Sequence, residues 1–169
     1  MVPRGAAAIP WRILPDLLLG AVVLTAAAGG LRLALGLPAG VLPLALLAYT
    51  ALALMLYRQR GNRMLTPADR VTLGRGLLVM LLIALLPVAG ALPSASPLPF
   101  ALALSGVVLD GLDGRVARQF DCATDTGARF DMELDAVLLL VVCMWLVALE
   151  RVGPWVLAIG AWRYVFIAA

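Results

Sequence analysis

Residues 110–135 read DGLDGRVARQFDCATDTGARFDMELD, and the rest of the chain is arranged around this stretch. Seven of the ten acidic residues of the 169-residue chain lie between Asp110 and Asp135, with long apolar runs on either side. Carboxylates at the edge of lipid-buried helices are costly unless something compensates their charge. The chemistry of the protein is therefore sought here.

The composition fixes the class. The chain is 63% hydrophobic and its mean hydropathy is +1.02, far above that of a water-soluble domain of this size. Several windows exceed the roughly 18–20 apolar residues that span a bilayer. The runs are continuous rather than alternating, which excludes a membrane β-barrel. The expected fold is an all-α polytopic membrane protein with about six transmembrane helices. All thirteen basic residues are Arg, and the absence of His excludes histidine catalysis and histidine metal ligation. Cys122 and Cys143 suggest neither a disulfide framework nor a zinc site.

Outward from the acidic stretch, the apolar runs predict spans at Ile13–Leu35, Val41–Tyr57, Ala68–Ala89, Leu98–Val116 and Gly127–Ala148, with a sixth from Trp155 to Ala169. Residues 1–12 lack the layout of a cleavable signal. Arg58, Arg60, Arg63, Arg70 and Arg75 make the segment after the second span the most basic, which places it in the cytoplasm. Met64 and Leu65 suit a short interfacial helix. Thr66-Pro67 reads as a helix start, with Thr66 as cap and Pro67 at the first helical position. Arg115, Arg118 and Arg129 return the loop of the acidic stretch to the cytoplasm. The chain then makes an even number of crossings from an N-terminus inside.

Asp110 and Asp113 are three apart and share a helix face, as do Asp131 and Asp135, four apart. The two pairs stand at the cytoplasmic ends of consecutive antiparallel spans, and the short loop between brings them together. Four converging carboxylates call for divalent cations, and hard oxygen ligands suit Mg2+, Mn2+ or Ca2+. A two-metal cluster can clamp phosphate oxygens during displacement at phosphorus. Gly114 and Gly127 allow close approach of a ligand, and Ala117 allows close helix packing. Arg118 offers a planar fork to a phosphate and Thr124 a hydroxyl.

These residues carry a resemblance. Asp110, Asp113, Gly114, Ala117, Arg118, Gly127, Asp131 and Asp135 match D-x2-D-G-x2-A-R-x8-G-x3-D-x3-D, the signature of the CDP-alcohol phosphatidyltransferases (also called CDP-alcohol phosphotransferases), at all eight fixed positions. Thr66, Pro67, Thr72 and Arg75 resemble the opening of the family's first core helix, with Asp69 where Asn is usual. The resemblance covers roughly residues 65–169. It implies two extra N-terminal transmembrane helices over residues 1–60 and a core over residues 61–169. The last four spans then correspond to core helices one to four of six, and the core is expected to be cut short at its C-terminus.

The resemblance also implies an activity: transfer of a phosphoalcohol group from a CDP-alcohol to a second alcohol, with release of CMP, in phospholipid biosynthesis. Asp110, Asp113, Asp131 and Asp135 would hold two Mg2+ or Mn2+ ions, with Asp135 also the general base on the acceptor hydroxyl. Thr72, Arg75, Gly114, Arg118 and Thr124 would line the CDP site. CDP-diacylglycerol is the expected donor lipid and a small polar alcohol the acceptor. The enzyme would sit in the inner, cytoplasmic membrane of a prokaryote with its site facing the cytoplasm, with homodimerisation plausible from the family and no nucleic acid as partner.

Other residues are weighed against plainer roles. Asp121, Asp125 and Glu133 miss the signature and suit a solvated loop or helix cap. Arg115 and Arg129 suit lipid head groups or topology. Arg163, inside an apolar span, either binds the acceptor's phosphate or carboxylate, as a fourth-core-helix Arg does in several family members, or pairs structurally. Trp11, Trp145, Trp155 and Trp162 are interface and packing aromatics. Two other functions compete. A divalent-cation transporter would place acids at mid-membrane depth on several helices, and a catalytically inactive scaffold would keep the fold without the activity.

Overall fold

The computed structural model describes residues 12–60, 64–93, 96–119 and 125–161, with residues 60, 112–119 and 125–126 described as helix backbone only. Among the described residues the secondary structure is entirely helical, with no strand. The long helices are α1 (Leu14–Leu35), α2 (Val41–Arg60), α3 (Pro67–Leu85), α4 (Leu98–Gln119) and α5 (Asp125–Ala148). Residues 156–161 begin a further helix. Three helical stretches, Leu14–Leu35, Val41–Gln59 and Pro67–Ala91, are long and apolar enough to cross a membrane. In α4 the apolar part is the shorter Leu98–Gly111. In α5 the first turns carry Asp131, Glu133 and Asp135. Yet α4 and α5 have 22 and 24 residues, about 33 and 36 Å of helix, and the acids sit towards one end of each.

The helix α3 is the hub. Over its apolar window 56% of residues are buried, against 17% for α1. A helix enclosed on most sides is apolar most of the way round, and Leu73, Val79, Met80, Leu81, Leu82, Ala84 and Leu85 are all buried. Its start follows from the sequence. Thr66 Oγ1 accepts the Asp69 N–H at 3.2 Å, the Thr66 N–H donates to Asp69 Oδ2 at 2.8 Å, and Pro67 follows the cap. Such a reciprocal capping box satisfies two orphan donors of the first turn.

The end of α3 departs from expectation. The span predicted to Ala89 stays α-helical only to Leu85 and tightens into a 3-10 turn over Leu86–Ala91. Pro87 is the reason, because its ring clashes with the carbonyl four residues back and it has no N–H to donate. The Leu86 N–H turns to the Ile83 carbonyl. The Leu82 carbonyl, which Leu86 would have met in a continuing α-helix, accepts the buried Trp145 indole N–H of α5 at 3.1 Å. A second departure lies at residues 64–66, which are not helical. Met64 is exposed, but Leu65 is buried in the core rather than lying in an interfacial helix.

The pair α1–α2 locks onto this hub by close approach. The Tyr49 hydroxyl lies where a side chain on Gly20 would stand, 2.6 Å from the position of a Cβ, and donates to the Leu17 carbonyl at 2.5 Å. Gly76 of α3 likewise admits Leu52 of α2, whose Cδ2 lies 2.8 Å from that Cβ position. At the polar end, Arg70 of α3 pairs with Asp16 of α1, Nε to Oδ1 at 3.1 Å and Nη2 to Oδ2 at 3.4 Å. The start of α1 and the start of α3 therefore lie at the same end of the bundle.

Candidate active site

The acidic stretch supplies the ends of α4 and α5, and the fold brings them to α3. Asp110 lies on α4, and Asp131 and Asp135 one turn apart on α5. One carboxylate oxygen from each lies within 4.8 Å of the others. Beneath them Phe130, Leu134 and Leu138, spaced by four on α5, are buried in the core. That apolar stripe fixes the rotation of α5 and so turns the two aspartates to the side of α4. Gly106, one turn before Asp110, keeps the helices close: a Cβ there would meet Leu138 at 3.4 Å and the Arg75 side chain at 4.0 Å.

Arg75 occupies the middle of the group. Its side chain is 0% exposed, while those of Asp110, Asp131 and Asp135 are 43%, 35% and 49% exposed. The guanidinium therefore lies under three carboxylates whose other side is open. Nη1 donates to Asp110 Oδ1. Nη2 donates to Asp131 Oδ1, to the Asp131 backbone carbonyl at 3.3 Å, and is 3.2 Å from Asp135 Oδ1. Two carboxylates about 5 Å apart repel by about 3 kcal/mol at an effective dielectric near 20, and by less where water reaches them. A fully buried guanidinium needs such partners in return, because an unpaired buried charge is worth several kcal/mol of lost stability. Each side solves the other's problem, and α3, α4 and α5 are tied at one point.

The remaining expected residues divide into three groups. Thr72 is buried one turn before Arg75 on the same face of α3, and its hydroxyl donates to the Ala68 carbonyl at 3.1 Å. Asp113, Gly114 and Arg118 lie on α4 beyond Asp110, in the part described as helix backbone only. Thr124 and Arg163 lie outside the described residues, as does Cys122. Cys143 is a buried free thiol on α5. Asp69, where the family usually has Asn, spends its carboxylate on the capping box of α3. What the sequence alone did not show is the ion-pair role of Arg75. The available signal was Arg75, flanked by Gly74 and Gly76 where the polar first turns of α3 give way to an apolar run, in a chain with an excess of acids elsewhere.

Hard carboxylate oxygens converging with one open side are the donor set for a divalent cation such as Mg2+ or Mn2+. Asp110, Asp131 and Asp135 fit one on both counts. The family model described as CDP-alcohol phosphatidyltransferase matches residues 65–169, from the cap of α3 through α4 and α5. The chain belongs to this family. No curated protein and no solved structure matches the chain. As a CDP-alcohol phosphatidyltransferase it transfers a phosphoalcohol group from a CDP-alcohol to an alcohol acceptor, and as a bundle of long apolar helices it is an integral membrane protein.

Proposed function

We propose that the protein transfers a phosphatidyl group from CDP-diacylglycerol to a small polar alcohol, releasing CMP, at the cytoplasmic face of a prokaryotic inner membrane. The observation that carries this reading is the meeting of Asp110, Asp131 and Asp135 on α4 and α5, in a bundle with three other helical stretches long and apolar enough to cross a membrane. There a nucleotide head group reaches water while the acyl chains stay in the bilayer. Glycerol 3-phosphate, inositol phosphate and serine are the acceptors to distinguish.

In the reaction, the acceptor hydroxyl oxygen bonds to the phosphorus that carries the diacylglycerol. The pyrophosphate P–O bond breaks, and CMP leaves with the electron pair. Asp135, the more exposed of the two α5 aspartates, takes the hydroxyl proton. Mg2+ or Mn2+, held by Asp110, Asp113, Asp131 and Asp135, would supply neutralisation of the pyrophosphate and of the charge growing on CMP. Thr72, Gly114, Arg118 and Thr124 line the CDP site, and Arg163 meets a charged acceptor. The basic residues Arg58 and Arg70 at this end of the bundle support its placement in the cytoplasm. We read α1 and α2 as an accessory pair and residues from 61 onward as the catalytic unit.

Purified protein in lipid nanodiscs with CDP-diacylglycerol, Mn2+ and a panel of acceptors tests the substrate assignment. One acceptor should yield a new phosphodiester lipid in step with CMP. A product formed only from a different CDP-alcohol would replace the donor named here.

A further inference from the structure

We propose that Arg75 is a built-in cation that preassembles the carboxylate cluster and lowers its affinity for the divalent metal. This rests on the reading of the cluster as the metal site of the transferase. The guanidinium engages Oδ1 of Asp110, of Asp131 and of Asp135. Among the described residues, those are the ones whose oxygens converge closely enough to ligate a metal ion. A metal approaching from the open side meets oxygens already partly neutralised, and a positive charge directly beneath them.

Arg75 has little room to leave. It is fully buried on the hub helix, and its stem runs past Gly106 of α4. Its Nη2 also holds the Asp131 backbone carbonyl at 3.3 Å, a contact that fixes the helix rather than the carboxylate. Fork geometry suits this task, since one guanidinium reaches two helices at once where an ammonium offers a single point charge. The group therefore keeps α4 and α5 in register, and the metal binds against its field. The expectation from the family pattern alone, that Arg75 lines the CDP site, makes no statement about metal affinity.

The experiment compares the wild type with Arg75→Gln and Arg75→Lys in detergent. Free Mn2+ is followed by electron paramagnetic resonance, and thermal unfolding is recorded with EDTA and with Mn2+. Arg75→Gln should bind Mn2+ at least roughly tenfold more tightly, melt below the wild type in EDTA, and gain more from added Mn2+. Arg75→Lys, which keeps the charge, should stay within roughly threefold of the wild-type affinity. Should Arg75→Gln not fold, the assigned guanidinium nitrogen signals of Arg75 in the wild type serve instead, and they should shift on Mg2+ addition. Unchanged or weaker Mn2+ binding in Arg75→Gln, or guanidinium signals indifferent to Mg2+, would overturn the proposal. CMP release from CDP-diacylglycerol is recorded in parallel, so that failure of the donor assignment is seen separately from the metal result.

Discussion

At the scale of single residues, Arg75 and the three aspartates form one cluster, in which stability and catalysis should be separable. Neither charge type is tenable there alone: the guanidinium is fully buried, and the carboxylate oxygens crowd within 4.8 Å. Replacing Arg75 with Leu removes the positive charge and leaves the carboxylates facing one another. The loss in EDTA should be about 3 kcal/mol or more, read as a lower midpoint of unfolding. Asp135→Asn differs, because it is the most exposed of the three and Arg75 keeps its other partners. It should leave the melting temperature within a few degrees while lowering the rate of CMP release by roughly 100-fold or more. A parallel collapse of stability in Asp135→Asn would assign that residue to the scaffold rather than to proton transfer.

At the scale of elements, two helix ends give independent tests. The C-terminus of α5 closes with Glu150 at φ 54. The Arg151 N–H bonds the Leu146 carbonyl at 3.0 Å and the Glu150 N–H the Val147 carbonyl at 2.9 Å. This is the double hydrogen-bond closure that usually employs Gly. Glu150→Gly should raise stability by about 0.5–1 kcal/mol, since a left-handed residue with a Cβ is strained. An unchanged or lowered midpoint would mean that the Glu150 side chain contributes more than its backbone costs. Trp145→Phe keeps an aromatic ring against the kink of α3 but leaves the buried Leu82 carbonyl without its donor. It should cost about 1–3 kcal/mol, and no loss would show that water replaces the indole there.

The elements also show what the sequence could and could not tell. Thr66-Pro67 marks the start of α3 because caps act over three residues, and the aspartate spacings mark shared faces because helices repeat every 3.6. The extent of α1 and the starts of α2 and α4 follow from apolar runs bounded by Pro and Gly in the same local way, whereas α2 and α4 each run three residues past the predicted end, to Arg60 and Gln119. Arg75 is different, because its partners lie 35 and 56 residues away. Only the packing of α3 between α4 and α5 decides whether it meets carboxylates or a nucleotide. The stop at Leu85 depends on Pro87, which was visible, but the choice between a kinked helix and a 3-10 turn depends on Trp145 taking the Leu82 carbonyl. The turn at Glu150 was not legible, since Glu has no preference for that conformation.

At the scale of the whole molecule, α3 joins two halves. On one side α1 and α2 dock through Gly20 against Tyr49 and Gly76 against Leu52, and on the other α4 and α5 carry the acids. Gly76→Leu should force α2 off the hub and lower stability by about 1–3 kcal/mol. Asp16→Ala should change it by less than about 1 kcal/mol, because Arg70 is largely exposed and such pairs are weak. The fold also places Asp16, Arg70 and the acidic cluster towards one end, with the Glu150–Pro154 turn at the other end of α5. Cysteines introduced at Asp16 and at Gly153 should react with an impermeant thiol reagent from opposite sides of sealed vesicles. Labelling from the same side would refute the arrangement of the spans.

The central claim is that the carboxylates of α4 and α5 form the metal-dependent centre of the phosphatidyl transfer. Its most direct test is the rate of CMP release from CDP-diacylglycerol in nanodiscs, with the acceptor that supports turnover. It is measured with Mn2+ and with EDTA, for the wild type and for Asp110→Asn, Asp131→Asn and Asp135→Asn. The expected result is release that requires the metal and falls by roughly 100-fold or more in each variant. Release that persists in EDTA, or survives in all three variants, would contradict it.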